Sequence, residues 1–504
     1  MAQFFKAKRN VKTQTAVFNN IAVDVIDHQG NGICLSHKPI IVVPGAIAGE
    51  QYRVEIHTKK KRAWYGTITK VLKANEAARV PTFCPYVSQC GGCSHQSFDA
   101  NFLINAKLAS LQTYLKKQIE PAKLAISEWE DVIKSNVIDS RRVLATTPTG
   151  QGTHSKVSPN ELGPSEQSQF GYRRRARIAI DARNPEAIKV GFRQEKSNKI
   201  VDIKQCAILS SNLQTIYASS ALVVKRLPSA SSIGHITLTE GTNAVQVCLH
   251  LTHSLCEASI NMLRADALAN KQQNLNVKYS IETKAGKLIS LEYLQSISAA
   301  GISNNNSAAS SIVNQDEKLI ICDIDDLQLA VAPNNFIQVN QSVNQLMLQC
   351  AIEWLAPTKQ DVVVDLFSGV GNFGLALAHY CAEVIGVEGV PEMVQVANEN
   401  AQLNGIKNCR FEHFDLNDLS LLAKLKIPKN AIFIVDPSRA GALEIMKTLP
   451  QFGPQKILYV SCSPTSFARD IDALPCNYQI TKIRALDMFP FTKHIEIIAL
   501  ISSN

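Results

Sequence analysis

Asp361-Val-Val-Val-Asp365-Leu-Phe367-Ser-Gly369-Val-Gly371-Asn372-Phe-Gly374 reads as a buried strand running through a glycine turn into a helix. From about residue 336 onward, strand-like and helix-like patterns alternate, the sign of a doubly wound α/β domain. The turn contains G-x-G-x-x-G, so a dinucleotide site is the first competitor. Glu388 ends the next strand, Val-Ile-Gly-Val-Glu, where a carboxylate can accept from ribose hydroxyls. Both NAD and S-adenosylmethionine need that contact, so Glu388 does not decide. Asp365 does help, because a carboxylate just before the glycines would repel a pyrophosphate but suits a sulfonium.

The later strands decide more firmly. Asp415 stands where a third strand end would meet an adenine, Asp436-Pro437-Ser438-Arg439 closes the apolar run Ala-Ile-Phe-Ile-Val, and Ser461-Cys462-Ser463-Pro464 closes Ile-Leu-Tyr-Val. Ligands and catalytic groups collect at the carboxyl ends of such strands. Each residue alone has a bland explanation: an Asp can cap the next helix, and a lone Cys is more often an inert buried thiol. The ordered set favours a methyltransferase over a dehydrogenase.

A cysteine in a methyltransferase suits an acceptor that needs covalent help. Carbon 5 of uracil is a weak nucleophile until something adds to carbon 6, and a thiolate both adds and leaves well. A base must then remove the carbon 5 proton. Glu496, in the tail Met488-Phe-Pro-Phe-Thr-Lys-His494-Ile-Glu496, is the expected base, with His494 as the alternate. Amine-methylating enzymes generally carry Asp/Asn-Pro-Pro-Tyr/Phe where this chain has Asp436-Pro-Ser-Arg, with no aromatic to stack a base.

Upstream, Cys84, Cys90 and Cys93 form C-x5-C-x2-C, punctuated by Pro85 and Gly91-Gly92. Three close thiolates call for a thiophilic centre and a fourth ligand, for which Cys206 is the best candidate. The spacing departs from zinc pairs, so an iron–sulfur cluster is expected. A radical S-adenosylmethionine enzyme would want C-x3-C-x2-C with one iron left open, and Cys206 would close it.

The 504 residues, 45% hydrophobic, allow two to four domains. No apolar run approaches bilayer length and no signal-peptide core is evident, so a cytoplasmic protein without a membrane role is expected. Thirteen cysteines then argue for thiols and ligands rather than disulfides. Residues 1–75 carry twelve Lys/Arg against four Asp/Glu, nearly all of the net +9. Within them Lys59-Lys60-Lys61-Arg62 precedes Ala63-Trp64-Tyr65, cations beside aromatics that suit phosphate contact and base stacking. Residues 12–72 read as short alternating strands, a small all-β barrel. Residues 97–120 read as helical, and a β-rich stretch runs from Tyr172 to about 330.

Together these residues resemble the bacterial 23S ribosomal RNA (uracil-5-)-methyltransferases of the uracil-1939 type, a family with an N-terminal TRAM domain and a [4Fe-4S] cluster. The resemblance covers almost the whole chain. It implies a multidomain α/β fold: an OB-like TRAM barrel over 12–72, a central β-rich iron–sulfur domain over 73–96 and 150–330, and a C-terminal Rossmann-like methyltransferase domain over 97–125 and 331–504. Cys84, Cys90, Cys93 and Cys206 would hold the cluster. Gln338, Phe367, Asn372, Glu388, Asp415 and Asp436 would line the S-adenosylmethionine site, with Cys462 the nucleophile and Glu496 the base. The partner would be 23S ribosomal RNA, the protein a monomer with no obligate protein partner. Two stretches, near 121–168 and 296–318, look like insertions, and Ser463 replaces an Asn that often follows the nucleophile.

Overall fold

The computed structural model describes residues 16–126, 170–195, 197–273, 275–291, 318–324, 326–416 and 424–503. All but the ends of the two expected insertions lie outside these residues. The chain divides into two units, the first holding Met1–Thr82, Ser94–Tyr114 and Phe491–Lys493 and the second Phe83–Cys93, Leu115–Pro490 and His494–Asn504.

In the first unit, strands β1 (Ala16–Ala22), β2 (Val25–Ile26), β3 (Asn31–Cys34), β4 (Ile40–Pro44), β5 (Gln51–Lys59) and β6 (Ala63–Lys73) form one sheet in the order β1-β5-β6-β4-β3-β2. The period of two predicted in the sequence is present: Tyr52, Val54 and Ile56 on β5 are buried while Arg53 and His57 face solvent. Their core includes Ile21, Val43 and the partly buried Trp64. Trp64 also contacts Phe18 and His37, and Lys59 Nζ lies 4.6 Å above its ring. Tyr65, partly buried like Trp64, has Lys60 Nζ 5.3 Å above its ring. Helix α1 (Ala100–Gln118) begins in this unit, with Leu103 packed on Ile26, Ile47 and Phe98.

The second unit contains two seven-stranded sheets. In the first, β7 (Arg175–Asp181), β8 (Lys189–Arg193), β9 (Ile200–Asp202), β10 (Ile233–Glu240), β11 (Val245–Leu251), β12 (Val277–Glu282) and β13 (Leu288–Ser290) take the order β13-β12-β11-β10-β7-β8-β9. Helices α2 (Ser211–Arg226) and α3 (Glu257–Gln272) bury Leu213, Ile216, Tyr217 and Leu263 against Ile178, Ile236, Val247 and Ile281 of this sheet. The stretch expected to be β-rich thus carries two helices. Ser210 starts α2 by accepting a bond from Leu213 N at 3.3 Å, a cap that is local in sequence. A hairpin, β14 (Leu319–Cys322) and β15 (Gln328–Val331), follows.

The second sheet contains β16 (Val362–Leu366), β17 (Glu383–Glu388), β18 (Cys409–His413), β19 (Ile432–Val435), β20 (Lys456–Ser461), β21 (Tyr478–Leu486) and β22 (Glu496–Ser503), in the order β18-β17-β16-β19-β20-β22-β21. The first five pair in parallel, and β22 runs antiparallel to both neighbours. Burial on both faces explains the apolar runs at 362–364, 432–435 and 457–460. Helices α4 (Gln341–Leu355), α5 (Asn372–Leu377), α6 (Pro391–Leu403), α7 (Leu443–Thr448) and α8 (Pro464–Asp472) complete the layers. Val343, Met347 and Ala351 of α4 join Leu375 and Ile434 in the core. From Leu115 the chain belongs to this unit: Lys123 Nζ donates to Asp472 O at 2.6 Å and Leu124 bridges to Ile480. Strand order reverses between β16 and β19, and the carboxyl ends there open a crevice.

Candidate active site and cysteine loop

The glycine turn after β16 is built on unusual backbone. Phe367 has φ 64°, Gly369 55° and Gly371 95°, and a Cβ on Gly371 would meet Leu375 Cδ1 at 2.7 Å. A side chain on Gly386 would strike the Phe411 ring at 2.1 Å, so glycine lets β17 and β18 pair beneath the turn. Asp365 turns inward: its Oδ2 accepts from Gly374 N at 2.9 Å and fixes the start of α5. Burial, then the charges of Asp436 and Glu388, push its carboxyl up to about 8. It is thus a buried anchor for the turn, and it is absent from the cleft lining, where the sequence had suggested a partner for a sulfonium. Glu388 Oε2 accepts from Gly369 N at 3.0 Å and Oε1 from Val390 N at 2.9 Å.

A cleft sits at the reversal of strand order, lined by Gln338, Phe367, Asn372 and Asp436 among others. Four of the six expected cofactor residues meet there. Glu388 joins through its bond to Gly369, which also lines the cleft. Asp415 lies exposed just beyond β18, near the end of β17 through the bond from Phe414 N to Glu388 O, and does not line the cleft.

Sequence reasoning missed the network behind this wall. The Arg174 guanidinium donates to both carboxylate oxygens of Asp323, at 2.5 and 2.6 Å, and its Nε donates to Gln338 O at 2.8 Å. Asn344 Nδ2 donates to Asp323 Oδ2 at 2.6 Å, and Asn344 and Asn372 exchange amide bonds at 3.1 Å. Gln338 and Asn372 are thereby held from behind. Phe336 was also missed: it lines the same cleft and is 66% exposed.

The reacting groups meet through register. Ser461 at the end of β20 pairs with Ile497 of β22, which sets Cys462 beside Glu496, the first residue of that antiparallel strand. Cys462 is half-buried and Glu496 only 7% exposed. Burial, followed by the Asp436 charge, pushes the Glu496 carboxyl up to about 8 against the opposing Arg439 guanidinium. Burial and the Glu496 charge raise the Cys462 thiol, again opposed by Arg439. Asp436, Cys462, Glu496 and Arg439 thus form one electrostatic group, of which Arg439 was not singled out in the sequence. Ser463 Oγ accepts from Ser466 N at 3.3 Å, so it caps α8.

The cysteine loop is pinned to the first sheet of the same unit. Cys90 bridges to Gln194, Gly91 N donates to Arg193 O at 3.0 Å, and a Cβ on Gly91 would meet backbone at 3.1 Å. Across from it, Gln214 Oε1 accepts from Cys206 N at 2.6 Å, and Tyr86 Oη accepts from Lys204 N at 3.0 Å. Burial, then the nearby Cys90 and Cys84, push the Cys206 thiol up to about 11. Cys84, Cys90 and Cys206 therefore feel one another, and Cys93 follows in the same half-buried turn.

The chain is 36% identical over its whole length to the 23S rRNA (uracil(1939)-C(5))-methyltransferase RlmD of Shewanella frigidimarina, with both chains fully covered. The chain belongs to the 23S rRNA (uracil-C5)-methyltransferase family. The enzyme of the same name from Shewanella amazonensis is 34% identical, with 99% of each chain covered. Residues 306–504 also match the family model described as tRNA (Uracil-5-)-methyltransferase. Among solved structures, Pyrococcus abyssi tRNA (uracil-54, C5)-methyltransferase in complex with S-adenosyl-L-homocysteine shares the fold at a TM-score of 0.62, with 22% identity, 96% of this chain covered and 99% of that one. Among the described residues no helix is long and apolar enough to cross a membrane.

Proposed function

We propose that this family member methylates carbon 5 of uracil-1939 in 23S ribosomal RNA, using S-adenosylmethionine and a covalent adduct between Cys462 and carbon 6. The observation that carries the reading is the pairing of β20 with β22, which seats a thiol and a buried carboxyl side by side next to Asp436 at the cleft. Gln338, Phe367, Asn372, Glu388 and Asp436 would hold the cofactor, with Asp415 at the neighbouring strand end. The cleft fits it: an apolar lining from Phe367, Val370 and Phe373 interleaves with amide and carboxylate groups. When bound, S-adenosylmethionine supplies an electrophilic methyl group.

The protein's own residues carry the other steps. The Cys462 thiolate would add to carbon 6, moving electron density to carbon 5, which would take the methyl as its bond to the sulfonium sulfur breaks and the neutral thioether leaves. Glu496 takes the carbon 5 proton, the carbon 5–carbon 6 double bond returns, and Cys462 leaves. Arg439 favours the anionic form of both groups. The exposed Phe336 ring offers a face on which a base drawn out of its stack can rest.

Cys84, Cys90, Cys93 and Cys206 would hold a [4Fe-4S] cluster. An all-sulfur donor set on a loop anchored by close backbone contacts suits a buried iron–sulfur centre. In this reading residues 12–72 are an OB-like TRAM barrel that binds RNA through its basic run, 73–96 and 150–330 the iron–sulfur domain, and 97–125 and 331–504 the methyltransferase domain. The protein acts as a cytoplasmic monomer. The test is methylation in vitro of unmodified 23S ribosomal RNA, with the product base mapped. 5-Methyluridine at position 1939 is expected, and methylation of transfer RNA instead would overturn the substrate assignment.

A further inference from the structure

Outside the cleft and the cysteine loop, β11 and β12 bring together a third set of donors. Cys248 and His250 stand two residues apart on β11 and so share a face, and Glu282 is the register partner of His250 on β12. Their Sγ, imidazole nitrogen and carboxylate oxygen all lie within 4.8 Å of one another. The neighbouring residues Val247, Leu249 and Ile281 point to the helix-covered face, so these donors occupy the opposite one.

The surroundings are those of a ligand set. Thr237 Oγ1 lies 2.7 Å from His250 Nε2 and holds the ring, while Nδ1 faces the Glu282 carboxylate. A hydrogen-bonded second nitrogen is the usual means of orienting a metal-bound imidazole. Ser280, the register partner of Cys248, is only 7% exposed, and its hydroxyl hydrogen-bonds the Cys248 side chain.

We propose that Cys248, His250 and Glu282 bind one zinc ion, with a water in the fourth position. One thiolate, one imidazole and one carboxylate suit a borderline-soft ion and exclude an iron–sulfur cluster, which needs several thiolates. Zinc bonds of about 2.0–2.3 Å put neighbouring ligands closer than the present limit, a distance that small side-chain rotations cover. On binding, the Cys248 thiol loses its proton to solvent. His250 Nδ1 and Glu282 exchange their mutual hydrogen bond for bonds to zinc, with the imidazole proton held at Nε2 toward Thr237. The Ser280 hydroxyl would keep its hydrogen bond to the Cys248 sulfur and support its thiolate form. Arg177, opposite Thr237 on β7, and Arg175 on the same strand both add positive charge near these donors, and the two anionic donors offset the charge of the ion. The ion would clamp β11 to β12, the one parallel pairing among the described strands of this sheet.

The proposal stands apart from the methyl-transfer reading, and metal content tests it. Full-length protein, purified without air and with its iron retained, is equilibrated with buffered micromolar zinc, dialysed and measured for both metals. Wild type should keep one zinc per chain. Glu282→Gln and Cys248→Ser should keep none, with iron unchanged, and zinc should raise the melting temperature of wild type alone. Glu282 is half-buried, so its variant decides if Cys248→Ser fails to fold. Wild type without zinc, or zinc retained when Glu282 is replaced, would overturn the proposal.

Discussion

Replacing Asp323 by Ala removes the acceptor of two guanidinium bonds from Arg174 and one amide bond from Asn344. The side chains of Arg174 and Asp323 are 8% and 3% exposed, so water does not replace what is lost. Leaving one member of a buried ion pair uncompensated costs about 3–5 kcal/mol. At about 2–4 °C per kcal/mol for a sizeable domain, the melting temperature should fall by roughly 6–20 °C. The same change frees Gln338 and Asn372 from behind, so affinity for S-adenosylmethionine should drop by about tenfold, the equivalent of ~1.4 kcal/mol. Thermal unfolding and calorimetric titration read the two effects separately. The double variant Arg174→Met/Asp323→Leu removes both charges and should regain most of the stability without the affinity. An Asp323→Ala protein as stable as wild type, or a double variant no more stable than the single one, would refute the argument that this pair is a desolvated anchor.

Cys462→Ala should abolish methylation, whereas Glu496→Gln should add and methylate, then accumulate a protein–RNA adduct visible on a denaturing gel; normal product release would move the base role to His494. Because Glu496 acts as a carboxylate and sits at about 8 in the free protein, turnover should rise with pH through that value and level off above it, and a flat profile would remove it as the base. Asp365 is likewise raised to about 8, so its contribution to stability is complete below the ordinary carboxylate range and is lost as pH rises to 8; Asp365→Asn should flatten the fall in melting temperature between about pH 4 and pH 8. Anaerobic protein should hold about four irons per chain, and Cys206→Ala should lose them; stoichiometric zinc at these four cysteines in place of iron would end the cluster assignment.

Features legible in the sequence were those whose physics is local. A strand, a left-handed glycine turn and a helix start lie within one short run around Gly371, so their residue types announce them. Strand-end carboxylates and Cys462 could be placed because a parallel sheet exposes its carboxyl ends on one side, whatever the neighbours are. Where a local rule misled, another partner had claimed the side chain: Asp365 bonds the helix start. Helix α2 of the central stretch was readable from Ser210 and the apolar spacing after it, but strand-like residues on both sides masked it, and α3 starts after Cys256 without a side-chain cap.

The sequence alone determined the α/β class, the order of strand ends and the residue types on offer. The tertiary structure decided which of them meet. Nothing in the spacing of Cys462 and Glu496 requires contact; they meet because β22 inserts antiparallel between β20 and β21 in a particular register. Arg174 and Asp323 lie 149 residues apart and find each other only when the hairpin of β14 and β15 reaches the wall of the cleft. Cys248, His250 and Glu282 likewise become neighbours through the pairing of β11 with β12. Strand pairing and register depend on burial across the whole chain, and a one-residue slip would turn each of these side chains to the opposite face.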